Sequence, residues 1–285
     1  MAKQKRDNID RLFVAYKPSG IGSNNFLSQL KRKYNAAKAG FSGTLDPFAK
    51  GVLIVAFGKY TSLFRFLNKT PKSYRATLWL GADSDTLDIE AVSRIDEIEP
   101  LDEEKVKEAV KSLEGELEYH PPIFSAKKVD GRRAYDLARE GKEVTLNTIH
   151  STIYKTEFIH YCHPFVTFEA TVSEGTYIRS LGRIIAQRLG VPGGILSALE
   201  RLHEGQFHYE EEKALDIRKS LNMPQNVYRG DTVTILLGQK LERDDFEYTD
   251  NGTYWVDNGE SISIFEFDDE GVHYLLNRVS LHEEL

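Results

Sequence analysis

The sequence predicts an α+β fold, on three observations. Strand-like and helix-like segments come in uneven groups, not in the strict alternation of a doubly wound parallel sheet. From about Asp231 the chain changes character to short strand-like runs separated by Asn-Gly and acidic turns. No internal repeat or low-complexity tract points to a solenoid or a linker array.

Each element follows from local chemistry. Residues 12–16 form an apolar strand. Ser23 stands where a helix N-cap belongs, and Phe26, Leu27, Leu30 and Tyr34 fall on one side of the helix it would open. Residues 52–57, Val-Leu-Ile-Val-Ala-Phe, lack any polar position and read as a buried strand. Residues 74–80 are a further strand. From Asp102 to Leu113, Val106, Ala109, Val110 and Leu113 recur at helical spacing until Gly115 stops them. Residues 152–159 and 166–172 are strands of a half-buried sheet. A third helix spans residues 176–189, with Ile178, Leu181, Ile185 and Leu189 inward, Gly190 at its end and Pro192 beyond. Residues 232–237, 253–256, 261–267 and 271–276 read as four short strands. The expected division is one large domain over residues 1–222 and a small β-rich appendage over residues 223–285.

Composition bounds the function. At 285 residues and 40% hydrophobic content the chain can bury a sizeable core. No apolar run approaches the ~20 residues of a membrane span. The N-terminal MAKQKRDNID has no apolar stretch of a secretory signal. The single cysteine, Cys162, excludes an intramolecular disulfide and suits a reducing cytoplasm. The net charge of −7 is unevenly spread. Residues 241–285 carry 13 acidic side chains against Arg243 and Arg278, a formal −11, which leaves a formal +4 for residues 1–240. Basic clusters lie at Lys3/Lys5/Arg6, at Lys31/Arg32/Lys33/Lys38 and at Lys127/Lys128/Arg132/Arg133. This distribution permits a nucleic-acid partner and equally describes ordinary solvated faces.

The most informative stretch is Gly40-Phe41-Ser42-Gly43-Thr44-Leu45-Asp46-Pro47-Phe48-Ala49-Lys50-Gly51. It sets one carboxylate, Asp46, among three glycines and a proline, directly before a buried strand. Glycine permits turns other residues resist, and proline fixes φ. Such an aspartate is either a turn cap or a reactive group. Around it stand Lys17-Pro18-Ser19-Gly20, Lys72-Ser73-Tyr74-Arg75-Ala76, Leu80-Gly81-Ala82-Asp83-Ser84-Asp85-Thr86-Leu87-Asp88, the run from Pro121 to Tyr135, Glu174-Gly175-Thr176-Tyr177-Ile178-Arg179-Ser180-Leu181, and Leu199-Glu200-Arg201-Leu202. No phosphate-binding G-x-x-x-x-G-K-[ST] loop is present. Around His160, Cys162 and His163 four ligands at workable spacing are not evident, so no metal is expected.

In this order, over roughly residues 10–210, these motifs resemble the TruB family of tRNA pseudouridine synthases. The resemblance implies a mixed, largely antiparallel central sheet flanked by helices, with the C-terminal all-β appendage often a PUA-like RNA-binding module. It implies isomerisation of a T-arm uridine of tRNA to pseudouridine by a cytoplasmic monomer without cofactor or metal. Asp46 matches the family's catalytic aspartate and Arg179 the arginine that pairs with it. Tyr74, Tyr177 and Leu199 match residues that hold the flipped base, with the Tyr74 hydroxyl a candidate for proton transfer. Lys17 and Phe41 are expected at the RNA. A basic insertion at about residues 121–148, with Lys127, Lys128, Arg132 and Arg133, is expected to close over RNA phosphates. Phe41 departs from the family's usual histidine, keeping a stacking surface without a donor or acceptor. The −11 appendage sits poorly with phosphate binding. The motifs for the chemistry all precede residue 203, so a chain ending near Asp231 should keep them. Two rivals belong to other classes. A glycoside hydrolase needs a carboxylate pair, for which Asp83, Asp85 and Asp88 are available. A non-catalytic RNA-binding module would be indifferent to Asp46→Asn.

Overall fold

The all-apolar run at residues 52–57 is buried on both faces, and the sheet is built outward from it. The computed structural model describes Asp7 and residues 9–124, 128–129, 132–133, 140 and 146–281, with the backbone alone at 128, 129, 132 and 133. In chain order the elements are β1 (Arg11–Lys17), α1 (Ser23–Lys33), β2 (Ala39–Phe41), β3 (Lys50–Phe57), a 3-10 helix (Gly58–Phe66), β4 (Lys72–Leu80) and the pair β5 (Ala82–Ser84) and β6 (Val92–Ile95). There follow α2 (Glu103–Lys111), β7 (Gly115–Tyr119), the ribbon β8 (Lys128–Val129) and β9 (Arg132–Arg133), β10 (Ile149–Cys162), β11 (Phe165–Val172), α3 (Ile178–Arg188) and β12 (Gly194–Glu204). The chain ends with short helices α4 (Ile217–Ser220) and α5 (Thr232–Leu236) and strands β13 (Gly252–Asp257), β14 (Ser261–Asp268) and β15 (Gly271–Ser280).

The main sheet has the order β1-β3-β12-β4-β11-β10-β7, with β2 added to β3. Only the β3–β12 pair is parallel, so the sheet is mixed and largely antiparallel, as the resemblance implies. At the β1–β3 end, Phe13, Leu53, Val55 and Phe57 pack under α1 through Phe26 and Leu30. The opposite face there, Leu12, Val14, Val52 and Ile54, packs on the 3-10 helix and on Trp255, Ile262, Ile264 and Val279 of the C-terminal strands. Over β4, β11 and β12 the core face carries Ala76, Leu78, Phe168, Ala170 and Leu196, covered by α2 and α3. Strands covered on two sides read as continuous apolar runs, whereas β11 alternates because one face meets solvent.

The close passage of β3 by β12 explains a glycine of the signature loop. Gly51 pairs with Arg201 at φ +118, and a Cβ there would stand 2.3 Å from the Arg201 carbonyl oxygen. β12 meets only the first two residues of β3, and β2 takes up the same strand at Val55–Phe57. The loop of residues 42–49 springs from the interval between them.

Three expectations are corrected. Ser23 is not the N-cap of α1; Gly22 is, and Ser23 serves the Asp46 loop instead. Residues 232–236 are helical, not a strand, because the Asp231 side chain caps the Val233 N–H and Ile235 is drawn fully inside. The central strand β12 was not expected as a strand at all. The C-terminal strands form a three-stranded sheet, β13-β14-β15, with a small core of Phe246, Tyr254, Phe265 and Phe267.

Two outcomes follow for stability. Gly51→Ala should cost about 3 kcal/mol or more, since both its backbone conformation and the 2.3 Å approach resist a side chain; urea denaturation measures this. A chain ending at Asp231 loses Trp255, Ile262, Ile264 and Val279 from their shared core. Each contributes roughly 1.5–3 kcal/mol when fully buried, so the truncated chain should melt well below the full chain in a circular-dichroism scan.

Candidate active site

The signature loop is braced from four directions. Ser42 N–H donates to the Ile54 carbonyl at 2.9 Å and its hydroxyl to Glu204 at 2.9 Å. Ser23 Oγ donates to the Leu45 carbonyl (2.8 Å) and accepts the Leu45 N–H (3.0 Å), as a strand partner would. Lys17 Nζ reaches the carbonyls of Pro18 (2.9 Å), Ile21 (2.7 Å) and Pro47 (3.4 Å). Leu45 and Phe48, on either side of Asp46, are anchored in the core beneath. What remains directed outward is the Asp46 carboxylate.

That carboxylate meets Arg179 from the first turn of α3. Arg179 Nε lies 2.9 Å from Asp46 Oδ2 and one terminal nitrogen 3.2 Å from Oδ1, a two-point grip. The same terminal nitrogen donates to the Phe124 carbonyl at 2.9 Å. The other donates to the Thr86 carbonyl (2.6 Å) and to Asp88 Oδ2 (3.3 Å). Asp88 is itself fixed: its Oδ1 accepts the Thr86 hydroxyl (2.6 Å) and the Glu90 N–H (3.0 Å). Leu87, between them, sits at φ +57, a conformation unusual for leucine, in the turn that carries the Thr86 carbonyl and Asp88 to Arg179. A buried guanidinium is thus held between two carboxylates, with every nitrogen used.

The electrostatics follow from this enclosure. Burial pushes the Asp46 carboxyl above its ordinary value; Arg179 opposes this, Asp88 adds to it and Lys17 opposes it. A third of the side chain still faces the open cavity. Burial also draws the Lys17 ammonium down to about 8, against the attraction of Asp46 and Glu90.

The cavity above Asp46 encloses about 270 Å³, lined by residues 43–46, Lys72, Tyr74, residues 173–179, Leu199 and Arg201. This lies just under the roughly 300–1,000 Å³ of small-molecule pockets and suits a single nucleotide-sized group. Register places the walls: Leu199 opposes Ala76, and Arg201 and Ala170 both oppose Tyr74. Tyr177 caps the start of α3, and its N–H donates to the Tyr119 hydroxyl (3.0 Å), which is tied to Ser151 (3.0 Å).

Of the expected site residues, Asp46, Tyr74, Tyr177, Arg179 and Leu199 converge on this one cavity. Two residues expected at the RNA lie apart from it. Lys17 has no exposed surface and spends its ammonium on three backbone carbonyls, as a strut of the loop. Phe41 is half-buried against the core beside α1 and is not among the residues that line the cavity. Lys127 lies outside the described residues, as do the side chains of Lys128, Arg132 and Arg133; the backbone of the last three forms the β8–β9 ribbon. Sequence reasoning missed Thr86, Ser23 and Tyr119, and placed Asp88 only in a hypothetical carboxylate pair. The dense polar run Ser84-Asp85-Thr86-Leu87-Asp88 was the available signal. Among the described residues no group of three or more His, Cys, Asp or Glu is placed to hold a metal ion.

The two-carboxylate arrangement predicts opposite titration shifts. Arg179→Gln should raise the Asp46 pKa further, and Asp88→Asn should lower it, because the first removes an opposite charge and the second a like one. Carboxyl-carbon NMR titration of Asp46 in each variant reads both signs.

Comparison with known proteins assigns the chain to a family. The family model described as TruB family pseudouridylate synthase (N terminal domain) matches residues 31–178. The chain is 63% identical over 271 residues to tRNA pseudouridine synthase B of Sulfurimonas denitrificans, covering 95% of this chain and 99% of that one. It is 56% identical over 276 residues to tRNA pseudouridine synthase B of a Sulfurovum species, covering 97% and 99%. Its fold is similar to a chain in the crystal structure of the archaeal box H/ACA sRNP Nop10-Cbf5 complex, with a TM-score of 0.66 at 20% identity over 94% of this chain and 85% of that one. A full-length match at this identity leaves one assignment: the chain belongs to the TruB family of pseudouridylate synthases.

Proposed function

We propose that this chain isomerises the T-arm uridine of tRNA to pseudouridine, with Asp46 as the reacting carboxylate. The observation that carries the reading is the Asp46 carboxylate on the floor of a nucleotide-sized cavity, gripped at two points by buried Arg179 beneath Tyr74 and Leu199. The family membership supports the reaction type.

A uridine stacked inside folded RNA must be flipped out to reach such a floor. Tyr74 offers the base an aromatic face, Leu199 packs from a second side and Tyr177 closes the α3 side. Asp46, ionised and fixed by Arg179, acts on the nucleotide as the glycosidic N–C bond breaks. The uracil turns while held in the cavity, and its C5 bonds to the same sugar carbon. The C5 proton then leaves and N1, released from the sugar, gains one; we assign a part in that transfer to the hydroxyl of Tyr74, a residue of the cavity lining. The atoms balance within the nucleotide, so side chains supply the chemistry.

Residues 1–222 form the catalytic unit in this reading. The basic insertion at about residues 121–148, with Lys127, Lys128, Arg132 and Arg133, supplies phosphate contacts that give affinity without sequence information. Residues 223–285 act chiefly as a stabilising cover over the β1–β3 end, since their apolar side chains complete that core. In this reading the enzyme works as a monomer in the cytoplasm, where its tRNA substrate is found.

Asp46→Asn should abolish pseudouridine formation on unmodified tRNA while leaving tRNA affinity within a few-fold, because binding is spread over many phosphates. Residual turnover above about one per cent, a barrier change of only roughly 2.7 kcal/mol, would remove Asp46 from the reacting role. Tyr74→Phe keeps the stacking face and should stall single turnover after bond cleavage, whereas Tyr74→Leu loses both face and hydroxyl. A normal single-turnover rate for Tyr74→Phe would leave Tyr74 a stacking role alone.

A further inference from the structure

The cavity has a second pole, which the reacting carboxylate does not use. Lys72 and Arg201 both line its wall. Both lean on Glu204, which has no exposed surface: Lys72 Nζ lies 3.2 Å and an Arg201 terminal nitrogen 3.0 Å from its carboxylate. One buried acid thus serves two buried cations. The loop passes close over this pair at Gly43, where φ is +52 and a Cβ would stand 3.0 Å from Lys72 Nζ.

Lys72 has one further partner, Glu174, whose Oε1 lies 3.6 Å from Lys72 Nζ and 3.3 Å from Lys69 Nζ. The three side chains differ in exposure: 6% for Lys72, 20% for Lys69 and 51% for Glu174. Glu174 is therefore the most exposed of the three, its carboxylate joining Lys72, on the cavity wall, to Lys69, which stands just outside the lining. Gly175 follows it at φ +85 with nothing packed where a Cβ would be, so the turn carrying Glu174 borders open space.

Lysine ammonium groups are compact charges with three rotatable donors, well suited to phosphate oxygens. A flipped nucleotide brings a phosphate on each side of its sugar, and a wall of the cavity it enters must meet one of them. We propose that Lys69 and Lys72 form a phosphate seat for the entering nucleotide, and that the Glu174 carboxylate fills this seat in the free chain and is displaced by RNA. The inference rests on the reading that the cavity takes a flipped nucleotide of RNA. It adds an element that the chemistry at Asp46 does not require. The displaced carboxylate lowers affinity for the RNA backbone and so favours release of the finished tRNA.

The test is binding of an unmodified tRNA transcript to the full-length chain across a potassium chloride series, for Glu174→Gln, Lys69→Gln and the double variant. Circular dichroism first establishes that each is folded, which the half-exposed position of Glu174 favours. Glu174→Gln should bind roughly two- to fivefold more tightly at low salt, the range an exposed ion pair spans, and with a steeper salt dependence. Lys69→Gln should bind more weakly, and in its background the gain from Glu174→Gln should shrink, as coupled neighbours require. Unchanged or weaker binding by Glu174→Gln would overturn the proposal, since an ion pair that only stabilises the loop gives that result. An equal gain with and without Lys69 would also overturn it, as a general effect of net charge. The role of Asp46 is tested separately by product formation, so either reading can fail while the other stands.

Discussion

A single guanidinium, that of Arg179, joins the parts of this molecule that must agree for a reaction to occur. It ties the loop of Asp46, the turn of Thr86 and Asp88, and the carbonyl of Phe124 at the start of the basic insertion. A lysine has one charged point and could not hold these directions at once. Desolvating a guanidinium is tolerable only when opposite charge and acceptors surround it. Asp88 supplies the second charge, but it also disfavours ionisation of Asp46. The site therefore balances position against charge: Asp88 fixes the arginine that fixes Asp46, while making the Asp46 carboxylate, the reacting group we propose, harder to ionise.

The rest of the fold can be read as support for that balance. The loop of Asp46 lies where β12 leaves the edge of β3 and β2 takes it up, so strand pairing continues on both sides of an irregular segment. Ser23 of α1 and Lys17 at the end of β1 satisfy its backbone groups. Buried polar groups left without partners would cost about 1–3 kcal/mol each, so these struts decide whether the loop has one conformation. The second pole of Lys72, Arg201 and Glu204 braces the same loop from below through Ser42 and Gly43.

Much of the sheet and one centre of the site were legible in the sequence. The apolar runs of β1 and β3 and the helical spacing of α1, α2 and α3 announced themselves, as did the glycine-proline frame of Asp46. The partners of Asp46 were a different matter. Arg179 lies 133 residues away, and only the motif resemblance joined the two. β12 stayed hidden because Arg201 and Glu204, fully buried here, look like solvent-facing charges in a sequence. The burial of Lys17 stayed hidden for the same reason: a lysine ordinarily signals surface, and nothing local says that three carbonyls await it. α5 misled through its β-branched residues, where a cap at Asp231 and burial of Ile235 override propensity.

The account's central claim is that the half-buried, Arg179-held carboxylate of Asp46 must be ionised for isomerisation to proceed. The direct measurement is the pH dependence of the single-turnover rate on unmodified tRNA, with circular dichroism checking that the chain stays folded. Because burial raises the Asp46 pKa, activity should fall on the acid side at a pH clearly above the ordinary aspartate value of about 3.9. The limb should move higher still in Arg179→Gln wherever turnover remains measurable. A rate that stays flat down to the ordinary aspartate range, with the fold intact, would contradict the claim.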